Sequence, residues 1–429
     1  MNTNIINEIE KSIIDNDKNN LVTNILNNIH IRHTLKDTSS YNQLTDNFNI
    51  ELKVNRVPDQ HNSGRCWIFA STNMLRHGII HSRGSKLPPN FDLSQAYIAK
   101  YDKIEKCLFV LESLYQIRKR FKIDDIEVRK IVDDGISDGG NWCMFQNIIS
   151  KYGIIPTSLF PDNFQLKNTS YMNNVLRTLL NKSKTMIYDC KNKTDFIKVK
   201  NEVMADCIKV IVLCCGYTPS KFLWTNTPGG VEKEYTPNDF YKKVVKPVDS
   251  IINLCYIPKY SFYTKLLSKT MTNMIDKPTT CYNMTLPIMK MAAVRCLQKG
   301  MPVWISCKID YKYMLNNRVL DDKSSLIEEL FEIDLSENKK DAIDNMNAIA
   351  NHAMTLIGCQ FDKKTKKVSK WKIQNSWGKN AASQDGVLIM TDTFFDKFVT
   401  DICVPKVNVP ELKKVTKTKE VSRFFLLCV

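Results

Sequence analysis

The sequence lacks the features that mark membrane and secreted proteins. No uncharged apolar run approaches the ~18 residues that span a bilayer, and the best candidate, residues 210–215, has only the length of a buried strand. The first residues show no basic flank followed by an apolar stretch, so no secretory signal is expected. These absences predict a cytoplasmic protein with no membrane partner.

Cysteine is present, but not in the spacing of a metal site or of a disulfide framework. The fourteen cysteines include no Cys-x-x-Cys pair, whereas structural zinc sites need ligands clustered at short spacing. A disulfide framework is not expected in a chain this long without a signal peptide. We therefore expect reduced and mostly buried thiols, and we predict no metal or other cofactor.

Size, composition and charge place the chain among ordinary globular proteins with a basic surface. The 429 residues (49.6 kDa) are 43% apolar and 25% charged, which suits two or three domains or one fold with large insertions. Lysine and arginine number 61 against 45 acidic residues, a net charge of +16. The densest lysine clusters lie in 363–372 and 413–419. This excess of basic residues is compatible with ordinary solvated faces and equally with a surface that binds nucleic acid.

Hydrophobic spacing predicts helices in the first half of the chain and strands mainly in the last third. Residues 1–50 contain no Gly or Pro and repeat Ile and Leu at helical spacing. Further helices are predicted over 93–120, 172–180, 286–297 and 324–330. Strands are predicted at 207–213 and 301–309, and an antiparallel meander at 353–359, 368–374 and 386–391. The arrangement indicates an α+β fold.

The segment Gln60–Ala70 contains a candidate nucleophile. A small turn with a glycine leads directly into an apolar helix, and Cys66 lies in the first helical turn. The partial positive charge of a helix N-terminus lowers a thiol pKa, and an imidazolium neighbour lowers it further. The thiolate is the nucleophilic form of cysteine. A structural cysteine at a helix start is equally compatible with this segment taken alone.

A histidine and an asparagine far along the chain complete a possible catalytic set. Of the six histidines only His352 lies after position 81, at the start of an apolar strand, and Asn375 follows within Asn-Ser-Trp-Gly. A hairpin turning at Lys363–Lys367 would bring the two strand ends together. Asn375 could then orient the His352 ring by a hydrogen bond and leave the other ring nitrogen for Cys66.

These motifs resemble the papain-like cysteine proteases, and within them the bleomycin hydrolase and aminopeptidase C branch. The resemblance rests on Gln60-x5-Cys66-Trp67, on His352-Ala353-Met354-Thr355 and on Asn375-Ser376-Trp377-Gly378. Further branch motifs are Ser63–Trp67, Leu93–Tyr97, Asp138–Trp142 and Lys151–Pro156. It covers roughly residues 50–405. His352 follows Cys66 by 286 residues, about 140 more than papain-type enzymes show, and such inserted length is typical of this branch.

The resemblance implies a fold and a division of the chain. The fold is papain-like, with a helical left subdomain, an antiparallel β right subdomain and large helical insertions. An N-terminal helical arm would occupy residues 1–50 and the peptidase domain residues 51–405. Residues 406–429 would form a C-terminal arm that enters the active-site cleft.

The resemblance also assigns catalytic roles to four residues. Cys66 would be the nucleophile and His352 its partner and the general acid for the leaving amine. Asn375 would orient His352. Gln60 would donate its side-chain amide to the oxyanion, together with the Cys66 backbone N–H.

Five further residues are implied to shape the substrate site. Trp377 would shield the hydrogen bond between Asn375 and His352, and Asp138, Gly139 and Gly140 would line the cleft. The terminal carboxylate of Val429 would hold the free amine of the substrate. The tail departs from the usual ending of the family, so an apolar tail packed on a partner or on the core is an open alternative.

The implied function is a cytosolic, bleomycin hydrolase-like cysteine aminopeptidase that acts on peptides by an acyl-enzyme route. Members of the branch assemble as homohexamers, and some bind nucleic acid in a basic channel. Two alternatives stay open: an endopeptidase with an open cleft, and a basic nucleic-acid-binding hexamer with secondary peptidase activity.

Overall fold

Helices make up most of the first half of the protein and strands most of the second. The computed structural model describes residues 2–31, 44–54, 56–83, 87, 91–225, 227, 229–315, 318–381 and 385–421. Its helices are α1 Thr3–Ile14, α2 Asp17–Asn28, α3 Cys66–Arg83, α4 Gln95–Ile117, α5 Ile126–Gly135, α6 Trp142–Tyr152, α7 Phe164–Lys167, α8 Ser170–Tyr188, α9 Lys193–Cys215, α10 Pro237–Phe240, α11 Leu286–Gln298, α12 Ile327–Phe331, α13 Lys339–Asp344, α14 Gly378–Ala381 and α15 Asp392–Phe398. The mixed content confirms the α+β prediction.

The strands form one large sheet and one small hairpin. They are β1 Ile50–Glu51, β2 Phe222–Trp224, β3 Lys233–Tyr235, β4 Ile251–Cys255, β5 Thr264–Ser268, β6 Thr279–Asn283, β7 Val303–Cys307, β8 Met314–Leu315, β9 Val319–Leu320, β10 His352–Asp362, β11 Lys367–Gln374, β12 Val387–Thr391, β13 Val399–Pro405 and β14 Lys417–Glu420. The large sheet has the order β14-β5-β6-β4-β13-β7-β10-β11-β12-β9-β8, with β1 paired to β10. Strands β2 and β3 pair only with each other.

Two large hydrophobic cores are packed between these elements, beside two smaller clusters. The helical core is built from α3, α4, α5, α6, α8 and α9, and the sheet core from β4, β7, β10–β13, α11 and α15. Helix α3 joins them, because Trp304 of β7 and Ala353 of β10 belong to the helical core. The hydroxyl of Thr355 also donates to the carbonyl of Ala70, at 3.2 Å. The start of α3 is therefore held against the start of β10.

The meander is the most accurate local prediction. Strand β10 pairs antiparallel with β11, and β11 with β12, which confirms the three predicted segments. The predicted helices at 93–120, 172–180 and 286–297 and the strand at 301–309 are also confirmed. At 324–330 the helix begins later, as α12.

One predicted strand is wrong. Residues 207–213 lie inside helix α9, not in a strand. The buried residues of this helix recur at helical spacing, and the helix faces α4 and α8 in the helical core: Phe196, Val203, Cys207, Ile211 and Cys215. A short apolar run does not by itself distinguish a buried strand from one side of a buried helix.

The two ends of the chain are only partly described. Helices α1 and α2 are present in the arm predicted at residues 1–50, and neither contains a buried residue. At the other end, β14 runs parallel to β5, and the Val421 N–H donates to the Leu267 carbonyl at 2.9 Å. Residues 422–429, with Val429, lie outside the described residues. Among the described helices, none has the length and apolar content to cross a membrane.

Candidate active site

Cys66 is the first residue of α3 and is almost fully buried. The carbonyl of Arg65 accepts the N–H groups of Ile68 and Phe69 at 2.9 and 3.1 Å, which closes the first turn around the cysteine. The Cys66 side chain and backbone are 1% exposed. The geometry therefore places the thiol at the positive end of a helix, as the sequence predicts.

Burial of Cys66 opposes ionisation of its thiol. Burial raises the pKa of Cys66 to about 12, and the backbone N–H groups of Ala353, Trp67 and Cys66 lower it only in part. Burial thus raises the pKa of this thiol by more than the three backbone N–H groups lower it. The sulfur accepts a hydrogen bond from the backbone N–H of Ala353, the residue that follows His352 in the chain.

His352 is held by Asn375 in one defined tautomer. Its Nε2 lies 2.8 Å from Asn375 Oδ1, and the Ser376 backbone N–H donates to that same oxygen at 2.8 Å. Because Oδ1 already accepts from Ser376, it acts as an acceptor again, and the ring donates through Nε2–H. In a neutral imidazole the other nitrogen, Nδ1, then carries the lone pair. The site therefore contains a base with one nitrogen left for a proton.

Burial keeps this imidazole neutral. The pKa of His352 is lowered to about 4 by burial, although the hydrogen bond with Asn375 raises it in part. The ring packs against Trp377, with the ring centroids 4.7 Å apart. Trp377 also stacks on Tyr311. The indole therefore lies beside the histidine, where the resemblance places it.

The side-chain amide of Gln60 is fixed at both ends. Its Oε1 accepts from the hydroxyl of Ser376 at 2.7 Å, and its Nε2 donates to the carbonyl of Ser63 at 2.6 Å. The Gln60 backbone N–H donates to the Ser376 carbonyl at 2.8 Å. The amide nitrogen has a second N–H, so one donor is left for another acceptor. The structure thus joins the turn before Cys66 to the Asn375–Trp377 segment.

Asp138 directs its carboxylate into the protein. One oxygen accepts from the Gly64 N–H at 3.0 Å and from the Thr169 hydroxyl, and the other from Lys103 Nζ at 2.7 Å and Asn173 Nδ2 at 2.9 Å. Burial raises the pKa of Asp138, but Lys103 and these donors outweigh it and hold the pKa well below its usual range. This carboxylate holds the turn that precedes Cys66.

The two glycines after Asp138 have different surroundings. A Cβ on Gly140 would lie 2.5 Å from the Trp67 indole, so the ring requires a glycine there. Gly139 is half-buried, and its carbonyl accepts from Lys106 Nζ at 2.6 Å. The backbone of Asp138 also accepts from the Trp67 indole N–H at 2.7 Å. Contact with the Trp67 indole is therefore a sufficient reason for glycine at position 140, and no bound substrate is needed to explain it.

Sequence reasoning missed the groups that hold this site together. Ser376 orients both Asn375 and Gln60, and its place inside Asn-Ser-Trp-Gly was the available signal. Lys103 and Lys106 of α4 donate to the carbonyls of residues 136, 137 and 139. These two lysines are 3% and 4% exposed, and no local motif marks them as buried.

The described residues contain no group of three or more His, Cys, Asp or Glu side chains that could hold a metal ion. The thirteen cysteines in the described part of the chain are free thiols.

Comparison with known proteins gives relatives over most of the chain. It is 29% identical over 388 residues to aminopeptidase C of Lactobacillus delbrueckii subsp. lactis, covering 88% of this chain and 85% of that protein. It is 27% identical over 375 residues to bleomycin hydrolase of Homo sapiens, covering 83% and 81%. The crystal structure of PepW from Lactobacillus rhamnosis has a TM-score of 0.88 at 25% identity, covering 98% of this chain and 97% of that one. The sequence profile of the Peptidase C1-like family matches residues 1–424, so this chain belongs to that family.

Proposed function

We propose that this protein is a cysteine aminopeptidase that removes N-terminal residues from peptides through an acyl-enzyme formed on Cys66. Family membership and the relatives named aminopeptidase C and bleomycin hydrolase support a cysteine-type aminopeptidase. The single observation that carries the mechanism is the His352–Asn375 hydrogen bond. It leaves the Nδ1 lone pair for the thiol of Cys66.

Proton transfer from Cys66 to His352 begins the reaction. Burial favours the neutral thiol and the neutral imidazole at rest. The thiolate and the imidazolium form together, because each charge stabilises the other. Asn375 keeps Nε2–H engaged, so the proton is received on Nδ1.

The thiolate then attacks the scissile carbonyl carbon. A C–S bond forms, and the carbonyl electron pair moves to oxygen, where the Cys66 N–H and the free N–H of the Gln60 amide donate to it. The oxyanion collapses, the C–N bond breaks, and the amine leaves with the proton from His352. Water activated by the same imidazole hydrolyses the thioester and regenerates the thiol.

The substrate would enter along the cleft edge formed by residues 138–140, beside Trp377. We propose that the arm from residue 406 onward delivers the Val429 carboxylate to the free amine of the peptide. Its support is the course of the arm as far as Val421, which is anchored on β5. The eight residues that follow can extend about 26 Å at ~3.3 Å per residue.

Two aminoacyl fluorogenic substrates test this function, one with a free amine and one with the amine blocked. We expect turnover of the free form alone and loss of that turnover after thiol alkylation. Equal turnover of the blocked form would contradict the clamp and would indicate an endopeptidase with an open cleft. Deletion of Val429 should reduce the preference for the free amine, whereas Val429→Ala, which keeps a carboxylate at the same position, should preserve it.

The proposal extends to fold layout, location and assembly. We propose the papain-like division, with the helical core as the left subdomain, the sheet core as the right one, and helical insertions. The parts are the arm 1–50, the domain 51–405 and the arm 406–429. Free thiols throughout the described residues support a cytoplasmic site of action. A homohexamer is proposed from the branch resemblance, and light scattering would test it.

Nucleic-acid binding by such a hexamer is the second candidate function. Four lysines in the turn between β10 and β11 are exposed, namely Lys363, Lys364, Lys366 and Lys367, and the net charge is +16. Binding carried by these charges should weaken steeply as salt rises. DNA retention that does not change between low and high salt would contradict it.

A further inference from the structure

Arg65, the residue before the proposed nucleophile, has a buried guanidinium with three hydrogen bonds. Nη1 and Nη2 donate to the two carboxylate oxygens of Asp162 at 2.7 and 3.0 Å. Nε donates to the hydroxyl of Ser63 at 2.9 Å. The Arg65 side chain is 2% exposed and that of Asp162 is 15% exposed. A charge in this environment is fixed in both position and orientation.

The third of these hydrogen bonds leads directly to Gln60. The Ser63 hydroxyl donates to the Gln60 carbonyl at 2.5 Å, and the Gln60 amide donates back to the Ser63 carbonyl at 2.6 Å. The position of Ser63 therefore sets the position of the amide nitrogen. The guanidinium of Arg65 acts on that nitrogen through one intervening residue.

The backbone of Arg65 performs a second task at the same point. Its carbonyl accepts two N–H groups in the first turn of α3, those of Ile68 and Phe69. One residue thus joins the turn that carries Gln60 to the helix that begins with Cys66. The anchor is Asp162, which lies on a different segment, between α6 and α7.

A buried ion pair of this kind contributes little to stability. Its desolvation cost offsets its Coulombic attraction, and apolar side chains of similar volume often replace such a pair without loss. Fixing one geometry is a known use of such a pair. We propose that the Arg65–Asp162 pair positions the Gln60 amide for the oxyanion, so that Arg65 and Asp162 are positioning residues. This inference rests on the proposed function.

The pair can be replaced as a unit. The double variant Arg65→Met with Asp162→Leu removes both charges together and also removes the donor to Ser63. We expect the melting temperature to stay within a few degrees of the wild type, kcat to fall by about 10- to 100-fold, and KM to change by less than about twofold. Retained kcat in the folded double variant would overturn the proposal.

Gln60→Ala shows whether the effect passes through the amide. Loss of one oxyanion donor typically costs on the order of 10²–10³ in kcat. When the double variant is combined with Gln60→Ala, we expect no further loss, because the amide that the pair positions is gone. Independent, multiplicative losses would overturn the inference. A Gln60→Ala protein with full activity would instead contradict the oxyanion role in the proposed function.

Two controls separate positioning from general damage. Arg65→Lys keeps a positive charge beside Asp162 but removes the bidentate guanidinium contact and the Nε donor to Ser63. The variant should therefore fold, and its kcat should fall less than that of the double variant. This loss should disappear when Gln60 is replaced by Ala. This variant carries the test should the double variant fail to fold. The matched control replaces a second ion pair of the helical core, Lys200 and Glu112, which are 2.6 Å apart. Lys200→Met with Glu112→Leu should leave kcat unchanged, and an equal loss there would overturn the proposal.

Discussion

The sheet core and the helical core position their catalytic side chains by different means. In the sheet, His352 and Asn375 are brought together by the backbone pairing of β10 with β11, in which Thr355 lies opposite Gln374. In the helical core, the turn before Cys66 is held by charged side chains. Backbone pairing survives most changes of side chain, whereas a buried charge that loses its partner is costly. The helical side should therefore be the more sensitive to single substitutions.

The charged residues of the helical core lie mainly on one helix. Within α4, Lys103 and Lys106 are buried and donate to the carbonyls of residues 136–139. Lys106 also pairs with Asp102 of the same helix, at 2.8 Å. A loop without regular pairing thus receives its hydrogen bonds from lysine side chains instead of from a neighbouring strand.

The largest expected effect is that of Cys66→Ala. Loss of the nucleophile should reduce turnover by on the order of 10⁶-fold, since the remaining groups cannot form the thioester. The free energy of unfolding should change little, because the substitution is small. Initial rates with the free-amine substrate and a thermal melt give both results. Substantial residual turnover would remove Cys66 from its role.

Lys103→Met should test the sensitivity of the helical core. It leaves the Asp138 carboxylate without its cation and removes the donor to two loop carbonyls, those of Ile136 and Ser137, at a cost of about 3–5 kcal/mol in the free energy of unfolding. The matched change in the sheet core is Thr355→Val, which removes one buried hydrogen bond and should cost about 1 kcal/mol. Urea titrations of both variants measure the difference. Equal costs would contradict the contrast between the cores.

Asn375→Ala should lower kcat by about 10²–10³-fold, less than His352→Ala, because it releases the ring without removing it. The Asn375 hydrogen bond raises the pKa of His352, which burial holds at about 4. Protonated His352 cannot accept the thiol proton, so kcat/KM should fall in acid. In the variant this acid limb should move to lower pH. A pH–rate profile with an unmoved limb would argue against the orienting role.

The smallest expected effect concerns Asp401 of β13, the counterpart in the sheet core of Asp138. Burial raises the pKa of Asp401 to about 6, although Thr400, Ser306 and Asn253 lower it by hydrogen bonds. The folded protein therefore keeps this proton at pH values where the unfolded chain releases it, and stability from this group is lost as pH rises from about 4 to 6.

Asp401→Asn cannot ionise and should remove this dependence. The difference in unfolding free energy between variant and wild type should change by about 2 kcal/mol between pH 4 and pH 7. Denaturant titrations at the two pH values measure it, and a parallel pH dependence in both proteins would contradict the assignment. The pH dependence of stability contributed by Asp138 has the opposite sign, because its pKa is lowered and its stabilising contribution is lost as pH falls.

The sequence was most informative where periodicity and motif coincide. The meander and the long helices α4 and α8 have clear spacing, and the pairing of β10 with β11 follows from the lysine-rich turn. Strands β4, β5, β6 and β13 were not predicted. Strand β4 pairs with β13, and β5 pairs with β14, in each case far along the chain, although β5 and β6 are consecutive strands. The long-range contacts decide the conformation of these segments more than local sequence does.

The site was predictable as a set of residues but not as an electrostatic state. Cys66, His352, Asn375 and Gln60 could be selected from motifs alone. The pKa values could not, because they depend on burial, and burial of both Cys66 and His352 favours the neutral pair. Ion pairs such as Arg65–Asp162 were also invisible, since nothing local to either residue indicates the other.

The position of β14 has a practical consequence for shortened forms of the protein. Its four residues are exposed and three are charged, and it covers the outer edge of β5 at one end of the sheet. Charged edge strands discourage edge-to-edge strand pairing between two molecules. A protein that stopped before Lys417 would leave the backbone N–H and C=O groups on the outer edge of β5 without strand partners. Such a protein should aggregate at high concentration. Removal of the terminal residues is therefore informative only when the chain is kept through Val421.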